Sequence, residues 1–98
     1  VVKMKFLEKF NFTKDEIHAF EDNTADVMLH TLADARKLVL ANGSYLMDLG
    51  VTNFKEIFQN YYELFLLDHS NFVNIFNKYD RDDLVEKLAK NVAIVEYL

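Results

Sequence analysis

No proline and only two glycines occur in this chain of 98 residues, and that scarcity of breakers constrains the fold more than any other feature. All-β sandwiches and barrels need a turn every few residues, and glycine and proline supply most of the special turn geometries. The chain still has the means to build a core, because 51% of its residues are hydrophobic and 14% aromatic. The expectation is therefore an all-α fold of six to seven short helices. One helical domain over residues 1–98 follows from length, since an independent core usually takes about 100 to 200 residues. A chain that opens on Val1 reads as a piece excised from a longer one.

Several functional classes drop out early. Without cysteine there is no disulfide scaffold, thiolate metal site or cysteine nucleophile. The apolar runs are only a few residues long and no basic-then-apolar segment opens the chain, so no membrane partner and an intracellular location are expected. The net charge is −5, from 11 basic and 16 acidic residues, whereas phosphate binding draws most of its affinity from a basic excess. Only Arg36 and Arg81 offer the guanidinium fork that suits phosphate and guanine best. The basic residues do cluster, with Lys3, Lys5, Lys9 and Lys14 close together at the start and Arg36 and Lys37 further on. Those six are the contacts a nucleic acid would have to use.

Along the chain, Met4, Phe6, Leu7 and Phe10 sit at helical spacing, and Thr13-x-x-Glu16 has the form of a capping box that opens a second helix through Ile17 and Phe20. Val27-Met28-Leu29 reads as a turn of 3₁₀ helix. Residues 32–49 read as one long amphipathic helix that Asn42-Gly43-Ser44 could bend or split. Gly50 is placed to be a left-handed helix end, and Thr52 to be the N-cap of a helix carrying Phe54, Ile57, Phe58 and Tyr61. Further helices carry Phe72 and Phe76, then Leu84 and Leu88, the last opened by Asp80 or Asp82.

Three short apolar runs begin at residues 25, 62 and 92, each just after an asparagine, and suggest one unit repeated: helix, turn, helix, short run. Intervals of this size mark stacked arrays, in which no unit buries its apolar face alone. If so, Val27, Leu64 and Ile94 should occupy equivalent buried positions; a compact helical bundle is the other arrangement the pattern allows. Residues 6–17, 46–52 and 83–91 carry the resemblance that follows, through segments such as Phe6-Leu7-Glu8-Lys9-Phe10-Asn11-Phe12 and Leu46-Met47-Asp48-Leu49-Gly50-Val51-Thr52. The unit resembles the repeat of the mitochondrial transcription termination factor (mTERF) family. That resemblance implies stacked helix–helix–3₁₀ repeats, an α-solenoid fragment, and a surface used to bind nucleic acid. Ala25, Tyr62 and Val92 stand where that family usually has proline.

Catalytic readings find little. His18, His30 and His69 show no ligand-pair spacing, and His18 with Asp22 reads as ordinary pairing on a helix face. Asp80-x-Asp82-Asp83 starts like a calcium loop but has Val85 and Asn91 where glycine and glutamate are required. Ser44 and Ser70 lack a nucleophile elbow, and two isolated glycines make no phosphate loop. No enzyme activity, cofactor or metal is expected. Tyr61 and Tyr62 are adjacent and cannot both face one core from a helix, so one of them is a candidate binding anchor. The sequence thus favours a non-catalytic interaction domain that binds a protein partner, with a nucleic-acid-binding repeat domain as the alternative.

Overall fold

Residues 2–98 are described by the computed structural model, and among them all regular structure is helical. The chain opens with a 3₁₀ segment, η1 (Lys5–Phe10), and continues through α1 (Lys14–Asn23), α2 (Asp26–Asp34), α3 (Arg36–Asp48) and α4 (Phe54–Tyr61). A second 3₁₀ segment, η2 (Tyr62–Leu66), precedes α5 (His69–Asn77) and α6 (Arg81–Lys90), and η3 (Val92–Tyr97) closes the order. The dimensions are 40 × 25 × 21 Å with a radius of gyration of 13.1 Å. A closed globule of about 100 residues has a radius near ~13 Å, so the helices are packed together and not strung out.

Local chemistry explains most boundaries. Asn11 ends η1 in the left-handed region at φ 65°, a conformation asparagine tolerates. Thr13 then closes the expected capping box: its hydroxyl accepts from Glu16 N at 3.1 Å while the Glu16 carboxylate accepts from Thr13 N at 2.8 Å. Gly50 has φ 94° just beyond α3, as the sequence suggested. At the start of α6 the Asp80 carboxylate accepts from Asp83 N, which makes Asp80 the cap.

Other boundaries differ from the sequence reading. The short helix expected from residues 4–10 forms as a 3₁₀ segment over residues 5–10. The Val27 region is the first turn of α2, because Leu29 and Leu32 share a buried face that extends the helix to Asp34. The long helix expected over residues 32–49 is broken at Ala35 (φ −103°, ψ 25°) and runs unbroken through Asn42-Gly43-Ser44. Asn53, not Thr52, holds the N-cap position of α4, and its amide donates to Leu88 O at 2.9 Å, tying α4 to α6.

Gly43 is helical because of what lies against it. The Phe10 ring rests on the α3 backbone there, and a Cβ at position 43 would clash with the outer edge of that ring. Phe10 begins a line of phenylalanines through the core: Phe10–Phe54 at 4.9 Å between centroids, Phe54–Phe65 at 5.8 Å, Phe65–Phe72 at 5.3 Å and Phe72–Phe76 at 4.9 Å. Every ring in that line is buried. Such pairs add about 0.5–1.5 kcal/mol beyond area burial. The line also crosses from η1 through α4 and η2 into α5, which joins distant parts of the chain.

One polar side chain is fully buried in this apolar surround. Asn42 on α3 donates from Nδ2 to Phe65 O and to Leu67 O, both at 2.9 Å, and its Oδ1 lies 2.8 Å from His69 Nδ1. The last contact requires the imidazole proton on Nδ1. A buried amide costs stability unless it is bonded, and here both of its hydrogens and its oxygen are used. The result is a fixed junction between η2 and α5.

Candidate functional site

The α-to-3₁₀ transition after Tyr61 sets the orientation of both tyrosines. Tyr61 leaves helical geometry (φ −134°, ψ 38°), so the side chains on either side of it do not follow α-helical spacing. Tyr62 turns its edge to Phe20, 5.6 Å away at 88°. Tyr61 donates its hydroxyl proton to Glu96 Oε2 at 2.6 Å, bridging α4 to η3. That bond, followed by partial burial and the carboxylate's charge, raises the Tyr61 phenol above its ordinary value. The division expected for these neighbours, one inside and one exposed, is not what forms: both are half-buried.

Both tyrosines line a single cleft of about 470 Å³ between η2 and η3. Its other walls include Leu64, Leu67 and Val95, with Glu63 and Glu96 at the same surface. Leu67 is 36% exposed although it is a large apolar residue. Leu64 and Ile94 are half-buried, whereas their neighbours Phe65 and Val95 are the residues that enter the core. Val27, expected to match them, is 69% exposed on α2. The expected equivalence therefore fails at Val27, and in the other two runs it shifts by one residue.

The basic candidates are only partly brought together. Lys3, Lys5 and Lys14 line a groove of about 260 Å³ with Ile17 and His18, but Glu8 and Glu21 stand on the same walls. Glu21 is fixed there because its carboxylate accepts from Met4 N at 2.8 Å. Lys9 does not line this groove, and Arg36 and Lys37 are exposed residues at the start of α3, outside it.

Among the described residues no group of three or more histidine, aspartate or glutamate side chains is arranged to hold a metal ion, and no helix is long and apolar enough to cross a membrane. The sequence reading missed Asn42, Glu63, Leu67 and Glu96. Asn42 had a signal, because Val39, Asn42 and Leu46 fall on one helical face whose other members are buried. Compared with known protein families, curated proteins and solved structures, the chain matches none.

Proposed function

We propose that this domain is a non-catalytic helical interaction module that binds a protein partner in the cleft between η2 and η3. The observation that carries the reading is the cleft wall itself, where half-buried tyrosines adjoin an apolar surface that Leu67 leaves open to solvent. Tyrosine supplies large contact area at low entropy cost, and such anchors dominate binding energy. Supporting a repeat origin, the order helix, helix, 3₁₀ occurs twice, as α3-α4-η2 and as α5-α6-η3. That order is similar to the termination-factor unit, and on this reading the chain is a short fragment of such an array.

Nucleic acid is the second reading, favoured by the grouping of Lys3, Lys5 and Lys14 on one groove. A phosphate arriving there meets two carboxylates as well as three ammonium groups, on a chain of net charge −5. A photoreactive side chain at position 67 tests the first reading, which expects one defined protein adduct that Tyr62→Ala weakens. The same domain should bind neither single- nor double-stranded nucleic acid at moderate salt. Binding that declines steeply with salt and vanishes when Lys3, Lys5, Lys9 and Lys14 become glutamine would replace the first reading with the second.

A further inference from the structure

The charges on the cleft name the chemistry of its occupant. Glu63 and Glu96 are both exposed carboxylates on its surface, and no lysine, arginine or histidine lines it. Elsewhere several acids are neutralised within the chain: Glu16 by Lys55 at 2.9 Å, Asp83 by Lys87 at 3.0 Å and Glu86 by Lys90 at 2.9 Å. Among the described residues neither Glu63 nor Glu96 is in an ion pair. Beside this acidic rim lies an apolar floor of Leu64, Leu67 and Val95. We infer, on the protein-binding reading above, that the cleft takes a short basic amphipathic segment, its apolar side chains on that floor and its lysine or arginine side chains on Glu63 and Glu96.

Geometry and size support that occupant. The Tyr61 hydroxyl engages only Oε2 of Glu96, which leaves Oε1 to accept from an incoming ammonium or guanidinium group. Because the bond already orients the carboxylate, less side-chain freedom is lost on binding. Tyr61 is thus a positioning residue for Glu96. A volume of about 470 Å³ accommodates a few side chains of a segment, not the face of a folded domain. Phosphate would meet the same two carboxylates, which argues against nucleic acid in this cleft.

The test titrates the full chain with a synthetic amphipathic helix of leucine and lysine, and with the same peptide carrying glutamate for lysine. The basic peptide should bind and the acidic one should be weaker by on the order of tenfold or more. Glu63→Lys combined with Glu96→Gln should weaken the basic peptide to a similar extent, and Glu63→Lys alone, at a side chain in no ion pair of the described residues, should weaken it in part with an unchanged thermal midpoint. Asp22→Asn with Asp26→Asn removes charge outside the cleft and should leave affinity as it was. Equal binding of both peptides, insensitivity to the cleft variants, or an equal loss in the Asp22 and Asp26 control overturns the inference. If neither peptide binds while the position-67 adduct still forms, the basic occupant is wrong and the docking reading stands; loss of both overturns both.

Discussion

The units α3-α4-η2 and α5-α6-η3 share an element order and are closed in different ways. In the first, η2 is sealed: Phe65 is fully buried among Phe54, Phe58 and Phe72, and Asn42 grips the carbonyls on either side of Leu66. In the second, η3 buries the smaller Val95, at 9% exposure, with Val92 and Ile94 half-buried against the core, and is secured by its Asn91 cap and by the Tyr61–Glu96 bond. A shared order of elements therefore does not imply shared energetics. The inner segment is a core element, whereas the outer one is a rim, and the open cleft lies between them.

The sharpest way to break this contrast is to truncate the two buried residues. Phe65→Ala should cost about 3–5 kcal/mol, which for a domain of this size lowers the thermal midpoint by roughly 4–8 °C per kcal/mol. Val95→Ala should cost only about 1–2 kcal/mol, from the two methyl groups lost. Equal losses in thermal denaturation would mean that η3 is a core element too. Gly43→Ala should destabilise by about 1–3 kcal/mol despite alanine's better helix propensity, because the Phe10 ring must shift while buried against Phe54 and Phe58. Asn42→Ala should cost about 1–3 kcal/mol by stranding the Phe65 and Leu67 carbonyls, and denaturant titration checks both variants.

A smaller loss, about 0.5–2 kcal/mol, is expected from Thr13→Ala, which lies outside both units. The capping bond from Thr13 N, then the Lys55 ammonium, holds the Glu16 carboxyl below its ordinary value. Its contribution is present above the ordinary carboxylate range and is lost as pH falls through the lowered value, so Glu16→Gln should flatten the acid limb of stability against pH. The raised Tyr61 phenol works in the opposite sense: its contribution holds below the ordinary phenol value and disappears as pH rises through the raised one. Tyr61→Phe should therefore flatten the alkaline limb, a readout specific to the junction of the two units.

What the sequence made legible was local. The Thr13 capping box, the left-handed Gly50 and the Asp80 cap each depend on residues within a few positions of one another. The misreadings at positions 42 and 43 involve partners far away in the chain. Gly43 reads as a breaker until Phe10 is placed on it, and Asn42 reads as a helix interruption until Phe65, Leu67 and His69 arrive to bond it. Val27-Met28-Leu29 was misjudged because a short apolar window shows no period, and the buried Leu32 that extends the helix lies outside it. Of the candidate cleft, the tyrosines were visible by type, but Glu96 meets Tyr61 only through the fold.

The line of phenylalanine rings bears on how the molecule comes apart. In an array whose units touch only through modest interfaces, melting can begin in one unit and halt at the next. Here Phe65 from the first unit and Phe72 from the second pack ring to ring, and Phe10 adds the N-terminal segment to the same row. Opening either unit strips contacts from the other, so amide protons of α3, α4 and α5 should exchange with solvent through one shared opening event, and those of the rim segment η3 through an easier, separate one.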